Sequence, residues 1–339
     1  MRLFRPTTAQ RELADGARAA FAVSSAEQGD GFPAPRWRAI ADSGLLATLL
    51  PEADGGLGLA PSDLALLTEE AGYALVPGPL VETAWMAVPA MAAAGAPAAA
   101  VLAAVLAGEA PASAVDADRT GPDLDVAAVV VVPGEHDDRL VGPAALGPLE
   151  PVATGDPRGR SWRAPRLELG QGTPVPVDGA GALALGRLGG AAYLLGVTRW
   201  LLDTAVAHAT ARTQFGVPIG SFQAVRHGLA DVHVELEFAR SAVWAAAADV
   251  EARMPSARTS VLAAAVQARR AFALADRHCL QVHGGIGFTW EHPLHLYLKR
   301  GHAVAARFGR SRDLAAALGD RVLAEARSAP RTAPPRPSI

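Results

Sequence analysis

Two segments in the second half of the chain carry side chains that could bind an anionic ligand with an aromatic group. The first, from Ala211 to Gln223, has the sequence ARTQFGVPIGSFQ. Arg212 offers a fixed fork of donors that suits a phosphate, Phe215 offers a flat apolar face that suits an aromatic base, and Gln223 adds donors and acceptors. The alternative is a plain helix connection in which Phe215 fills the core. On spacing alone, this alternative is favoured.

The second segment, from Gln281 to Pro293, has the sequence QVHGGIGFTWEHP. Gly284, Gly285 and Gly287 leave backbone N–H groups free of side-chain cover, so a polar or anionic ligand could approach closely. Gln281 could anchor such a ligand. As an isolated feature the segment is an ordinary glycine-rich end of a helix, because glycine is common there.

The nine histidines prompt a search for a metal site. His292 with His295, or His278 with His283, could be spaced as ligands, but no cysteine cluster and no carboxylate at fitting helical spacing accompanies them. We therefore predict no metal and place these histidines on helix surfaces or in satisfied polar niches. The sequence also lacks a P-loop, a strand followed by G-x-G-x-x-G and a G-x-S-x-G elbow, which removes the usual nucleotide and hydrolase interpretations.

Composition excludes further classes of protein. The chain has 31 Lys+Arg against 34 Asp+Glu, a formal charge of −3, 50% hydrophobic residues and 19% charged residues. These values exclude a disordered chain and a general nucleic-acid binder. Cys279 is the single cysteine, so no intramolecular disulfide can form, and the first ten residues hold no export signal. We expect a cytoplasmic protein.

One stretch, Thr83 to Gly108, holds no charge and is long enough to span a bilayer. It is mostly alanine, it is divided by Pro89, Gly95 and Pro97, and it lacks aromatic or basic flanks. We predict two short buried helices here and no membrane segment.

The remaining elements follow from periodicity. The first third is predicted to be helical, with Thr8 as the N-cap of a first helix, a second helix through Trp37 and Leu45, and Ser62 as the N-cap of a third. Between about residues 115 and 177 the branched run at 126–132, prolines and glycines predict short strands and turns.

Helical periodicity returns from about residue 179. One helix is predicted to end before Phe215, and others are predicted at about 222–250, 260–282 and 293–326, which is the signature of an antiparallel bundle. The predicted fold is mainly α with a small β domain. Its parts are a helical N-terminal domain (1–112), a reduced β middle domain (113–178), a four-helix bundle (179–328) and a disordered tail (329–339).

Taken together, these segments resemble the acyl-CoA dehydrogenase family. Residues 51–59 are similar to its P-E-x-x-G-G-L-G element, residues 212–223 to its R-x-Q-F-G-x-P-I-x-x-F-Q element, and residues 281–293 to its Q-x-x-G-G-x-G-F-x-x-E-x-P element. The last two elements together are specific, and the resemblance covers most of the chain. It implies a helical N-terminal domain, a β middle domain and a C-terminal four-helix bundle.

The resemblance also implies a cofactor and a reaction. Members of the family bind FAD and remove two hydrogens from an acyl-CoA, which gives a 2,3-enoyl-CoA. Their two bundle elements reach across a dimer interface to the adenosine diphosphate half of a neighbour's FAD. The matching residues here are Arg212, Gln214, Phe215, Gln223, Gln281, Gly284, Gly285 and Gly287.

The reaction needs a base, which in the family is a glutamate at one of two places. One precedes a glycine beyond the Q-x-x-G-G-x-G element, where this sequence has Phe308 before Gly309. The other directly precedes an arginine near the start of the first bundle helix, where Gly186 precedes Arg187. Neither residue can accept a proton, and Glu291 matches a family position without a base role.

The middle region, residues 111–177, also lacks the family's flavin-holding segment. The chain therefore resembles the small, base-lacking subunit of heteromeric (α2β2) acyl-CoA dehydrogenases of actinobacterial steroid side-chain degradation. The implied partner is a homologous subunit that carries the catalytic glutamate and binds most of the acyl-CoA. Two alternatives stay open: a self-sufficient homomeric dehydrogenase of acyl-CoA or carrier-bound substrates with an unidentified base, and a flavin-free assembly protein.

Overall fold

The structure is a computed structural model that describes residues 6–22, 31–176 and 181–328. The predicted disordered tail and the predicted boundary at 178/179 lie outside these residues. The N-terminal helices are α1 (Thr8–Ala22), α2 (Ala34–Asp42), α3 (Pro61–Tyr73), α4 (Val88–Ala94) and α5 (Ala99–Leu106). A π-helical turn, Glu82–Ala87, precedes α4.

The start of α1 differs from its prediction by one residue. Thr7, not Thr8, is the capping side chain, since the Gln10 N–H donates to Thr7 Oγ1 at 3.2 Å and the Thr7 N–H donates to Gln10 Oε1 at 3.0 Å. This reciprocal pair satisfies two N–H groups that the helix leaves free.

Ser62 is also not the cap of α3. That helix begins at Pro61, and the Ala60 N–H donates to the Asp63 carboxylate at 2.9 Å. Proline fits a first helical position because its missing N–H would have no partner there.

The uncharged stretch 83–108 forms more than the two buried helices predicted. The π-helical turn and α4 are buried, with Trp85 and Met91 fully enclosed, whereas α5 buries only Val105 among its residues. Gly95, at φ +66°, ends α4 where the sequence predicts a break. No helix in the described ranges is long and apolar enough to cross a membrane.

The β region contains two small sheets. The strands are β1 (Ala112–Ala114), β2 (Thr120–Pro122), β3 (Val129–Val132), β4 (Asp137–Val141), β5 (Glu150–Pro151), β6 (Ser161–Arg163) and β7 (Thr173–Pro176). The first sheet has the order β1-β3-β4-β7, with β1 parallel to β3 and the other pairs antiparallel, and the second has the order β2-β6-β5. Of the run predicted as a strand at 126–132, only Val129–Val132 is extended, as β3. Its Val130 packs with Val141 and Leu146 in a core of its own.

The C-terminal region is built from α6 (Ala182–Ala211), α7 (Gln223–Glu251), α8 (Ala257–His283), α9 (Leu294–Arg307) and α10 (Ser311–Ser328). The single helix predicted at 293–326 is wrong, because the chain breaks after Phe308, where Gly309 has φ +116°. After this break α10 turns onto α8, and Leu314 packs against Leu262 and Ala265.

The N-terminal region meets the bundle where α3 crosses α6. A Cβ added to Gly72 would lie 2.1 Å from the Tyr193 carbonyl oxygen, and one added to Gly196 would lie 1.9 Å from the Glu69 carbonyl oxygen. The two backbones can approach this closely only because both residues are glycines. The crossing therefore fixes α6, the helix that leads into the first predicted ligand segment.

Candidate functional site

The first predicted segment forms a short hairpin at the end of α6. Its strands are β8 (Thr213–Gln214) and β9 (Val217–Pro218), and the Ile219 N–H closes it by donating to the Arg212 carbonyl at 2.8 Å. The side chains of Arg212, Gln214 and Gln223 are all exposed. The guanidinium of Arg212 makes no ion pair among the described residues, so it is available to an anion.

Phe215 lies at the tip of this hairpin and is 93% exposed. It has φ +53° and is followed by Gly216 at φ +82°, which gives a two-residue hairpin turn. A side chain in this left-handed region costs about 1–2 kcal/mol. The helix-connection alternative, in which Phe215 fills the core, is therefore wrong: the fold presents this ring to solvent in an unfavourable backbone conformation.

The second predicted segment begins where α8 ends. Gln281 is exposed in the last turn of α8, and Gly284 follows the helix with φ +59°. A Cβ on Gly284 or Gly285 would meet no atom within 4 Å, so both backbones face open space. Gly287 is different, because its Cβ would lie 2.9 Å from Leu280 Cδ1, and this buried glycine has a packing role.

Two stacked histidines bring the segments together. His208, one turn before Arg212, has its ring centroid 4.7 Å from that of His283, which directly precedes Gly284. His292 contacts the other side of this group, with its centroid also 4.7 Å from that of His283. Both predicted segments therefore lie side by side at one end of the bundle.

The histidine cluster was not predicted, and the expected niches of satisfied histidines are wrong for His283. Its Nδ1 lies 2.7 Å from the Cys279 carbonyl, which can only accept, so Nε2 is left as an acceptor, and it has no partner although it is buried. Within the described ranges, no group of three or more His, Cys, Asp or Glu side chains is arranged to hold a metal ion.

The histidine cluster is expected to make the folded chain less stable in acid. Burial lowers the pKa of His208, with further lowering by the charges of His283 and Arg212, and burial and three neighbouring histidines lower the pKa of His292. The unfolded chain, with histidine pKa values near about 6.5, then binds more protons than the folded chain, so stability falls as the pH drops below about 6.5 and levels off above it.

Chemical denaturation at pH 7.5 and 5.5 measures this effect. His292→Asn removes the titrating group and keeps an acceptor for the Leu294 N–H, which donates to His292 Nδ1 at 3.1 Å. We expect this variant to lose less stability between the two pH values than the wild type. The exposed His136→Asn is the control, and an equal change in both variants would contradict the prediction.

A cavity of about 500 Å³ lies between the β region and the bundle. Phe308 and Gly309 line it, together with Met86 and Arg187. The Phe308 carbonyl receives the Arg187 Nε–H at 3.1 Å, which fixes the end of α9 beside α6.

The two positions at which the family resemblance places a glutamate lie next to each other beside this cavity. A Cβ on Gly186 would lie 2.6 Å from Met86 Sδ and 2.9 Å from Phe308 Cε1, and a Cβ on Gly190 would lie 2.9 Å from Phe308 Cδ2. The Phe308 ring therefore occupies the space beside Gly186. Positions 186 and 308 are more than a hundred residues apart in sequence. The Phe308 ring nevertheless fills the space in which a glutamate from either position would lie.

Glu82 is the buried carboxylate of this cavity, and the sequence did not single it out. It is 1% exposed, it receives Arg307 Nη1 at 2.9 Å on Oε1, and its Oε2 has no partner among the described residues. It lies in the π-helical turn, a feature often found at functional sites. The sequence offered one signal for Glu82: it is the last charged residue before the uncharged stretch 83–108.

The bundle end fits a dinucleotide. It offers the exposed guanidinium of Arg212, the exposed ring of Phe215 and an approachable glycine backbone at Gly284 and Gly285. An anionic diphosphate and an aromatic base are the groups that such a surface can bind.

Two models of one protein family match the chain. The model for "Acyl-CoA dehydrogenase, N-terminal domain" matches residues 7–109, and that for "Acyl-CoA dehydrogenase, C-terminal domain" matches residues 175–312. The chain belongs to the acyl-CoA dehydrogenase family, an oxidoreductase family.

Three individual proteins are similar to this chain over most of its length. Acyl-CoA dehydrogenase IpdE2 of Mycobacterium tuberculosis is 35% identical over 295 residues, which covers 84% of this chain and 86% of that protein. A variant of the Tcur3481-Tcur3483 steroid acyl-CoA dehydrogenase superposes with a TM-score of 0.83 at 27% identity, covering 94% of this chain and 99% of the other. The ChsE4-ChsE5 complex of Mycobacterium tuberculosis gives 0.81 at 22% identity, covering 97% and 100%, and so shares the fold.

Proposed function

We propose that the chain is the FAD-contacting, base-lacking subunit of a heteromeric acyl-CoA dehydrogenase. An unlike homologous subunit supplies the catalytic glutamate and binds most of the acyl-CoA, and the two assemble as α2β2. FAD, when bound, takes the hydride from the substrate. A steroid side-chain thioester is the proposed acyl group.

The observation that carries this proposal is the Phe308 ring beside Gly186. Abstraction of the proton next to a thioester carbonyl needs a base within hydrogen-bond reach. Here both family positions for that base lie next to each other, neither holds an acid, and the space is filled by an aromatic ring. A chain built in this way depends on another subunit for proton transfer.

The bundle end supports the other half of the proposal. The side chains of Arg212, Phe215 and Gln281 are exposed, and a Cβ on Gly284 or Gly285 would meet no atom within 4 Å. A partner that brings the rest of the cofactor would complete the site. Arg212 would then pair with the diphosphate, and Phe215 would cover an aromatic ring of the cofactor.

The relatives support a heteromer and a steroid substrate. The Tcur3481-Tcur3483 structure is a steroid acyl-CoA dehydrogenase named after two proteins. The ChsE4-ChsE5 structure is likewise named as a complex of two proteins. The two family models leave residues 110–174 between them, and these make up most of the region 111–177 in which the sequence lacks the family's flavin-holding segment.

One observation favours a second candidate, a self-sufficient homomeric dehydrogenase. Glu82 is a buried carboxylate with a free oxygen in the same cavity as Phe308. Its Oε1 is already occupied by Arg307 Nη1 at 2.9 Å, and it stands at neither family position for the base, so the heteromer remains our proposal.

Flavin retention tests the proposal. Co-expression with a homologous subunit that carries the catalytic glutamate should give yellow protein with about one flavin per two chains, while the chain alone stays colourless. Arg212→Ala in the complex should lower the flavin absorbance per protein several-fold, since a charge-assisted contact contributes about 1.5–3 kcal/mol.

Arg38→Ala is the matched control for this experiment, because Arg38 is exposed on α2, far from the bundle end in sequence. We expect unchanged flavin content there and unchanged melting temperatures in both variants. Full flavin occupancy with acyl-CoA turnover by the isolated chain would refute the heteromer.

A further inference from the structure

A small cavity of about 160 Å³ lies at the beginning of α6. It is separated from the bundle end by the 30 residues of that helix, or about 45 Å. Three arginines from three helices line it: Arg187 of α6, Arg258 of α8 and Arg321 of α10. All three are half-buried.

These guanidinium groups lack acidic partners. Arg187 donates through Nε to the Phe308 carbonyl, which leaves its two terminal nitrogens for other acceptors. Within the described part of the chain, Arg258 and Arg321 make no ion pair and no side-chain hydrogen bond. A half-buried arginine normally finds a carboxylate or a carbonyl, so Arg258 and Arg321 beside one cavity are unusual.

The two acids at the cavity do not neutralise them. The Asp138 carboxylate is buried and already receives the Ala182 N–H at 2.9 Å and the Gly134 N–H at 3.2 Å. Glu135 is exposed at the rim. The first N–H of α6 is already bonded to Asp138. The net positive charge of the cavity lining therefore comes from the three arginines and not from the end of the helix.

Mutual repulsion among the arginines also indicates that their positive charge is not compensated. Burial and the charge of Arg321 lower the pKa of Arg187. Burial and the charge of Arg187 lower the pKa of Arg269, which donates to the Ala305 and Ala265 carbonyls, to about 10. Among the described residues that line the cavity, three arginines therefore stand against two acids, neither of which forms an ion pair with them.

We propose that this cavity binds a phosphoryl group, held by Arg187, Arg258 and Arg321. A water needs about 10–15 Å³, so a cavity of about 160 Å³ has room for a tetrahedral oxyanion. The guanidinium fork matches the oxygen spacing of phosphate. Binding would also join α10 to the start of α8, which Thr259 Oγ1 already ties to Glu325 of α10 at 2.6 Å.

The phosphoryl group has two sources that share this chemistry. It can be free phosphate, or it can belong to an elongated ligand, because Leu183 and Arg187 also line the 500 Å³ cavity. The site does not rest on the proposed function, since it is built from this chain alone and lies far from the bundle end.

Titration calorimetry of the full-length chain tests the proposal, with inorganic phosphate and coenzyme A as probes at constant ionic strength. We expect phosphate to bind in a saturable manner and to raise the melting temperature. Arg258→Gln and Arg321→Gln should each weaken phosphate binding about tenfold. Coenzyme A that binds more tightly than phosphate, with the same sensitivity to both variants, identifies an elongated ligand, and equal or weaker binding identifies free phosphate.

Arg277→Gln is the matched control, because Arg277 is exposed on the same helix as Arg258. It should bind phosphate as the wild type does. The proposal is overturned if sodium chloride at the same ionic strength raises the melting temperature equally, or if Arg258→Gln and Arg321→Gln fold normally and keep wild-type affinity for phosphate. Flavin content of the heteromer is a separate measurement and does not enter this result.

Discussion

Exchange of the acyl-CoA α-proton with deuterated solvent is expected to disappear from the heteromer when the partner's glutamate is changed to glutamine. A positioned general base contributes about 10²- to 10⁴-fold, so the loss should be of that size. This chain offers Phe308 and Gly186 at the family positions, and neither can take the proton. The exchange rate of labelled substrate, measured by mass spectrometry, reports the base without requiring hydride transfer.

Variants of this chain complete the experiment. Glu82→Gln, Glu291→Gln and Asp313→Asn should each keep the exchange rate of the wild-type heteromer, with the melting temperature as a check on folding. Glu82 is the decisive case, because it is the buried acid of the cavity. If exchange persists without the partner's glutamate and is lost in one of these variants, this chain is itself the catalytic subunit.

Arg300→Met is expected to lower the free energy of unfolding by about 3–5 kcal/mol, a large share of the total of about 5–15 kcal/mol. Arg300 of α9 is buried and pairs with the buried Asp156 of the β region. It also donates to the Val76 carbonyl at 3.1 Å and to the Tyr193 hydroxyl at 3.2 Å. Burial alone would lower the pKa of Arg300, but Tyr193 and Asp156 raise it, so the charged form is bound firmly.

Two further variants separate the cause of this loss. The double variant Arg300→Met with Asp156→Asn removes the stranded carboxylate and should recover at least half of the stability. Arg312→Met breaks an exposed pair with Asp313 and should change little, because exposed ion pairs contribute little. Urea denaturation measures all three. Equal losses for Arg300→Met and Arg312→Met would show that the buried pair has no special role.

The long helices were predictable because their apolar spacing continues without interruption. The prediction of 222–250 became α7 at Gln223–Glu251, and that of 260–282 became α8 at Ala257–His283. The break after Phe308 was missed, because one glycine in a periodic pattern is compatible with a helix. Gly309 adopts φ +116° there, and the tertiary contact of Arg187 with the Phe308 carbonyl fixes the end of α9.

The two candidate segments could be identified in the sequence, but the exposure and the contacts of their side chains could not be predicted from it. The exposure of Phe215 could not be read from its spacing, since an aromatic residue between two helices is more often buried. The pairing of Asp156 with Arg300 joins residues 144 positions apart, and no local pattern encodes such a contact. The histidine cluster likewise depends on the side-by-side ends of α6 and α8.

The Phe308 ring also constrains the evolutionary history of this subunit. A glutamate cannot simply return at position 186, since its Cβ would collide with both Met86 and Phe308. The aromatic ring would have to be replaced first, and that step alone would leave a hole between α6 and α9 at a cost of about 3–5 kcal/mol. A glutamate at position 186 is thus reached only through a destabilised intermediate. On the proposed function, the same packing makes reliance on an unlike subunit hard to reverse by a change at position 186.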